Sequence, residues 1–302
     1  MVDSASTREK MFSAYCTSLV DALRCRLKCL CQKAPTSPVC IALVEGREHE
    51  NLEFTILNTL FMSGISLGDC EIYVLCTSLN LARVKSICNN IPENHKSRCR
   101  IIQIMGGMNS IEEYNNLFYH QDFWNIFSNF DQVLIVQTDC LWIKPINFAD
   151  HASFAYVGAP WADAPFLVDK TEVRPNSAVT KLCSANMVGN GGFSLRNVNV
   201  MKKIVGIKSK IHDALIRELN MDHPITLASF PEDLFFCSGI RHLHESGQLD
   251  PFLLCPVETA GAFASEMVFN SNSCASHKTY CYHSIQQMST HVSNHMSILM
   301  EA

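Results

Sequence analysis

The sequence predicts an α/β protein: a mostly parallel, Rossmann-like sheet flanked by helices, with one extra helix at the N-terminus. Three observations predict it. Four short, largely apolar runs, "VCIALV" (39–44), "EIYVLCT" (71–77), "RIIQIM" (100–105) and "QVLIVQTD" (132–139), read as strands buried on both faces. Stretches of helical spacing separate them, which calls for crossover connections and hence parallel pairing. Ahead of them, Phe12, Cys16, Leu19, Leu23, Leu27 and Leu30 recur at steps of three or four and draw one apolar stripe on a helix over 8–31.

The stripe is expected to pack on the main domain. Its alternative use is a peripheral membrane or partner contact, because Arg24, Arg26 and Lys28 lie among Cys25, Cys29 and Cys31, and cysteines in a basic amphipathic helix are palmitoylation targets. "KAPTSP" (33–38) then breaks the helix. After the first strand, Leu52, Ile56 and Leu60 mark a helix that stops near Gly64. Helices are also expected over 79–90 and 110–127, between the later strands. In the less regular second half, "FAYVGAPW" (154–161) and "MVGNGGFSLRN" (187–197) read as strand or hairpin segments, and helices are expected over 198–206, 208–220 and 232–245. The resulting division is a helix and linker over 1–38, one α/β domain over 39–285 and a tail over 286–302.

Bulk properties narrow the function. In 302 residues, 47% are hydrophobic and 18% charged, which is enough apolar material for a sizeable core. A net charge of −5 argues against bulk electrostatic binding of nucleic acid. No run of eighteen apolar residues is present, and residues 3–10 carry charge instead of a signal-peptide core. The 15 cysteines form no even framework and read as reduced, buried residues, so the expected location is cytoplasmic, peripheral to a membrane if the first helix docks there.

The candidate chemistry starts at "VLIVQTDC" (133–140), where a buried strand ends in Gln137, Thr138 and Asp139. In open parallel sheets ligands sit beyond the carboxyl ends of the strands. The first strand likewise ends in Glu45, Gly46 and Arg47, which would share that edge. A carboxylate there can hold a hard divalent cation, which can bridge a diphosphate; it can equally cap a turn. Neither G-x-G-x-x-G nor G-x-x-x-x-G-K-[ST] follows a strand, so the two common phosphate-cradling loops are missing. "VGNGGFSLR" (188–196) supplies Gly189, Gly191 and Gly192, which let a ligand approach the backbone or form a hairpin bulge. In "FPEDLFF" (230–236), Pro231 suits the start of a helix and Glu232 and Asp233 complement its dipole. One of those carboxylates can instead face a cleft and take a proton from a hydroxyl. "CASHKTYCYH" (274–283) spaces Cys274, His277, Cys281 and His283 as a rival zinc site, although not as a standard finger. His242, His244, His291 and His295 are expected at the surface.

The ordered set "EYNNLFYHQDFWNIF…DQVLIVQTDCLW", "FAYVGAPW", "VGNGGFSLRN", "PEDLFF" and "FASE…SHKTY", preceded by "ALVEGREHENLEFTILNTL", resembles a family of GT-A-like glycosyltransferases catalogued as a domain of unknown function, found in fungi, bacteria and large DNA viruses. The resemblance covers roughly residues 39–285. It implies a nucleotide-sugar-dependent transferase that moves a sugar from a nucleoside-diphosphate donor to a hydroxyl of a glycan or glycoconjugate, inverting and assisted by a divalent cation (Mn²⁺ or Mg²⁺). It implies that Asp139 is the surviving acid of an Asp-x-Asp metal motif, with Gln137 where the wider group has its first acid. Asn190, Gly191 and Gly192 would line the sugar and acceptor site, and Glu45 and Arg47 would sit near the nucleotide. Asp233 would be the base with Glu232 beside it, His277 would approach the metal or diphosphate, and Trp161 would offer a stacking face. The loop before His277, "SNSCASH", departs from the family's Pro-Phe-Gly-like stretch. The runner-up is a catalytically inactive carbohydrate- or nucleotide-binding module on the same fold. The helix dipole leads one to expect Asp233 ionised at neutral pH.

Overall fold

The computed structural model describes residues 4–30, 37–66, 70–106, 108–161, 167–168, 171–172, 178–219, 226–249 and 254–301. The chain opens with α1 (Ala5–Cys29), then alternates through β1 (Val39–Val44), α2 (Leu52–Ile65), β2 (Ile72–Cys76), α3 (Leu81–Asn89), α4 (Glu93–Lys96) and β3 (Cys99–Gln103). The segment expected as one helix over 110–127 is two, α5 (Ile111–Phe118) and α6 (Gln121–Asn125). It breaks because the Tyr119 hydroxyl and Trp124 indole turn inward to bond the Phe230 and Phe118 carbonyls. β4 (Gln132–Val136) and β5 (Cys140–Trp142) flank the Gln137–Asp139 turn.

In the second half, "FAYVGAPW" keeps only β6 (Tyr156–Val157) as strand. A small hairpin, β7 (Leu167–Val168) with β8 (Thr171–Glu172), and α7 (Ala178–Asn186) follow. The glycine-rich run becomes β9 only from Phe193 to Asn197, leaving residues 189–192 as a loop. Next come α8 (Val198–Gly206), α9 (Lys208–Leu219), α10 (Glu232–Glu245), α11 (Val257–Phe263), β10 (Ala264–Ser265), β11 (Ala275–His277), α12 (Thr279–Tyr282) and α13 (Ile285–Glu301).

The main sheet has the order β3-β2-β1-β4-β9-β6. Its first four strands are parallel, while β9 runs antiparallel to both β4 and β6. The predicted α/β architecture, a mostly parallel sheet with flanking helices and an N-terminal helix, is therefore present. β1 and β4 are fully buried and pair from Val39↔Gln132 to Leu43↔Val136, so their polar ends emerge side by side. Strand order reverses between them. That makes the β1/β4 edge a topological switch point, where a crevice opens in sheets of this kind.

The apolar stripe of α1 is not available to a membrane. Phe12, Cys16, Leu19, Leu23 and Leu27 are buried where α1 packs on α2, α12 and α13, and each leucine contributes about 1.5–3 kcal/mol of apolar burial. Arg24 pairs with Glu53 of α2 along the same seam. Among the described residues no helix is long and apolar enough to cross a membrane. Residues 33–36 of the expected linker and Cys31 lie outside the described residues. The expected tail is helix α13, docked through histidines that the sequence placed at the surface. His295 is fully buried, with its Nδ1 2.7 Å from the Tyr15 hydroxyl and its Nε2 2.8 Å from Asn58 Oδ1. His291 is buried beside Phe269 and Asn270. Tertiary partners of this kind let an imidazole be buried, and composition cannot reveal them.

Candidate functional site

A cleft of about 460 Å³ opens at the β1/β4 switch point. Every site residue expected from the sequence lines it except Trp161. Trp161 is buried, its backbone amide bonding the Met187 carbonyl, so it is a core residue and not a stacking face for a ligand in this cleft. Residues that the sequence reading left out also reach the cleft, among them Glu9 of α1, Tyr114 of α5, Glu266 after β10 and Lys278 after β11.

At the β1 end, Glu45 is buried and fully engaged. It accepts from the Arg47 amide and Nε at 2.9 Å each, from Arg47 Nη2 at 3.0 Å and from the Thr138 hydroxyl at 2.8 Å. Burial pushes its carboxyl up, but these donors outweigh it and hold Glu45 below the usual range. Glu45 is thus a holder. It fixes the guanidinium of Arg47, whose side chain is more than half exposed at the cleft. Asn80, which no motif flagged, locks the turn by donating to the carbonyls of Glu45 and Arg47 at 2.8 and 2.9 Å.

At the β4 end, Asp139 meets His277, 138 positions further along the chain. The antiparallel β5–β11 pair does this, with His277 opposite Cys140. Asp139 Oδ1 and His277 Nε2 face each other at 3.2 Å as a buried pair, and neither atom has another partner. His277 Nδ1 faces Glu266 Oε2 at 2.9 Å and Asn190 Oδ1 at 3.1 Å, which makes Nδ1 the donor and aims Nε2 at Asp139. Lys278, in the left-handed region at φ 44°, adds Nζ 3.7 Å from Asp139 Oδ2. Burial opposes ionisation of Asp139, yet His277 and Lys278 hold its carboxyl far below the usual range. Burial likewise opposes charge on His277, but Glu266 and Asp139 push it up to about 9. Gly192 is obligatory here for space, since any Cβ would overlap the His277 ring.

Asp139, Cys140 and His277 present ligand atoms within 4.8 Å of one another, the one such cluster among the described residues. Cys140 is a poor member, because burial pushes its thiol well above the usual range and its Sγ donates to the Gly192 carbonyl. Asp139 Oδ1 and His277 Nε2, which have no partner besides each other, fit a divalent cation that takes the place of the Nε2 proton, with Glu266 as the outer partner that orients a ligating imidazole. The rival zinc set does not converge. Cys274 Sγ turns to the Pro145 carbonyl and His283 meets Phe269 and His291 edge-on, while the metal-capable cluster that holds His277 includes none of the other three residues.

Across the cleft, the first turn of α10 separates its two acids. Glu232 is buried in a two-pronged pair with Arg196, Oε2 to Nη1 at 2.5 Å and Oε1 to Nη2 at 2.9 Å. Asp233 faces the cleft, accepting from the Gly191 amide at 3.2 Å and its neighbour Leu234 N at 2.7 Å. The helix dipole does not keep Asp233 fully ionised at neutral pH: burial and then the charge of Glu232 push its carboxyl up to about 7. The sequence reading missed Arg196, since an arginine in "FSLRN" has no pattern of its own. It also missed Tyr114, whose hydroxyl is buried in the cleft wall near Gln137 without a well-formed hydrogen bond.

No curated protein matches the chain. Among solved structures, it is similar to the galactosyltransferase LgtC, determined in complex with donor and acceptor sugar analogues, at 11% identity and a TM-score of 0.49 over 84% of this chain and 95% of that one. Residues 98–283, which carry Asp139, the glycine loop, the Glu232–Asp233 turn and His277, match a single sequence family, and the chain accordingly belongs to the family described as "Protein of unknown function (DUF5672)".

Proposed function

We propose that this chain is a glycosyltransferase that moves a sugar from a nucleoside-diphosphate donor to a hydroxyl of a glycan or glycoconjugate, with inversion. The carrying observation is that one cleft holds an orphaned Asp139–His277 pair on one wall and a half-buried acid with pKa about 7 on the other. Asp139 and His277 would hold a divalent cation, Mn²⁺ or Mg²⁺, which when bound supplies Lewis-acid charge for a leaving diphosphate. Arg47, aimed by Glu45, and Lys278 add positive charge beside the same oxygens. Asp233 takes the proton from the acceptor hydroxyl as the new carbon–oxygen bond forms and the bond to the diphosphate breaks. A group titrating near 7 suits that step, being both available as a base and basic enough to accept. Attack from the side opposite the departing diphosphate inverts the anomeric centre. Glu232, taken up by Arg196, does not share the proton transfer.

The test uses the full chain with a panel of nucleoside-diphosphate sugars and Mn²⁺, Mg²⁺ or a chelator, measuring released nucleoside diphosphate and, with an acceptor found, the product anomer by NMR. Turnover with at least one donor and an inverted product is expected. Donor binding with no turnover across the panel would leave a binding module as the function. Retained configuration would remove Asp233 as the base of a single displacement.

A further inference from the structure

Arg196 is a fully buried charge beside the site that the proposed reaction leaves without a task. It is fully buried on β9, its guanidinium 4.8, 5.0 and 5.8 Å from the ring centres of Tyr156, Phe118 and Phe236. Burial disfavours its charge, yet Glu232 holds it charged. Four hydrogen bonds from its guanidinium form the hub of a closed ring. Nε donates to the Ser194 hydroxyl at 2.9 Å, and that hydroxyl donates to the Gly191 carbonyl at 2.9 Å. Nη2 reaches the same carbonyl at 3.3 Å. The Gly191 amide donates to Asp233, and Asp233 follows Glu232, the carboxylate that Arg196 grips. A Cβ on Gly191 would lie 2.7 Å from Glu232 Oε1 and 3.0 Å from Asp233 Cβ, so the loop and the α10 turn are closed on each other without slack.

We propose that Arg196 is a positioning residue for Asp233: it keeps the Glu232 carboxylate engaged at the cleft wall and fixes the Gly191 peptide whose amide aims the Asp233 carboxylate. The ring has an electrostatic consequence. The groups around Asp233 are Glu232 on its own helix, Arg196 from β9, Glu266 after β10, Cys183 of α7, Cys237 of α10, and the phenols of Tyr119 and Tyr156. Of the charged ones, Glu232 repels the Asp233 anion more than Arg196 attracts it, because the bidentate pair turns the guanidinium toward Glu232. Arg196 therefore keeps one acid occupied and leaves the other with a usable proton affinity.

The proposal bears on the same site as the glycosyl-transfer reading and rests on it for its purpose, but its test needs no substrate. The Asp233 carboxyl is titrated by ¹³C NMR in the full chain, in Glu232→Gln and in the double variant Glu232→Gln/Arg196→Met. In Glu232→Gln the repelling charge is gone and Arg196, without its carboxylate, turns on Asp233, so the midpoint should fall by at least one pH unit from about 7. Removing Arg196 as well should raise it again, to a value between the single variant and the wild type. The order wild type, double, single supports the proposal, and any other order overturns it. Charge alone moves the midpoints, so the Gly191 amide, which reports its bond to Asp233, is followed by ¹⁵N NMR in the same titrations. Positioning by Arg196 requires its pH-dependent shift to weaken in the double variant. A merely structural role would lower the melting temperature and leave that shift as in the wild type. Should Glu232→Gln fail to fold with its buried unpaired guanidinium, the double variant decides, since neutral replacement of a buried pair is commonly tolerated. Its midpoint must then lie below that of the wild type, and an equal or higher one refutes the role. Absence of glycosyl transfer with this order intact would sink the functional reading alone.

Discussion

Asp233→Asn should make the protein more stable in alkaline than in acidic buffer relative to wild type, while abolishing most turnover. Lifting the carboxyl from 3.8 to about 7 means that the folded state resists ionisation. Stability from the neutral acid is fully present below pH 3.8 and is lost as pH rises through 7, the sign expected for an acid whose folded pKa is raised. At about 1.36 kcal/mol per pH unit, the ionised group costs the fold at most about 4 kcal/mol above pH 7, and less to the extent that solvent in the cleft screens it. Asparagine never bears the charge. It does offer one acceptor oxygen where Asp233 offers two, one each to Gly191 and Leu234, which costs about 1 kcal/mol at every pH. Denaturant unfolding of both proteins at pH 5 and pH 8 should therefore show the variant gaining about 1–3 kcal/mol on the wild type between the two. Turnover should fall roughly 10²–10⁴-fold with donor binding retained, and the wild-type rate should drop on the acid side of pH 7. An identical stability difference at both pH values would refute the raised pKa, and near-normal turnover would refute the base.

Asp139→Ala should remove Mn²⁺-dependent donor affinity in calorimetric titration, and it should also destabilise the fold by about 1–3 kcal/mol, because His277 and Lys278 lose the carboxylate between them; unchanged affinity would overturn the assignment. Tyr114→Phe deletes an orphaned hydroxyl facing the cleft, so stability should hold or rise while affinity for a nucleotide sugar falls about tenfold, the worth of one hydrogen bond of about 1.4 kcal/mol; equal donor affinity in both proteins would remove Tyr114 from substrate contact. Deleting residues 1–30 should give an insoluble or unfolded chain, since it strips the cover from α2 and frees the 280–281 carbonyls that Arg8 bonds; a soluble fragment with native-like near-UV circular dichroism would show α1 to be dispensable.

The sequence by itself determined the four parallel strands, the alternation of helices between them and the edge at which chemistry would gather. Apolar runs set the buried strands, their alternation with helices forced parallel pairing, and parallel pairing put Glu45 and Asp139 on one edge. Those are consequences of local pattern, and local pattern is what a chain displays without its fold. Tertiary structure alone decided the partners. The β5–β11 register brought His277 to Asp139, and nothing in the spacing of two residues so far apart encodes it. Glu232 and Asp233 are neighbours with the same functional group, and only the placement of Arg196 behind one of them made a buried counter-ion of the first and left the second facing the cleft. The dipole argument for an ionised Asp233 was sound for an exposed helix end; burial and one adjacent charge outweighed it. The stripe on α1 announced a buried face, but an apolar stripe carries no address, and α2 with α13 supplied it.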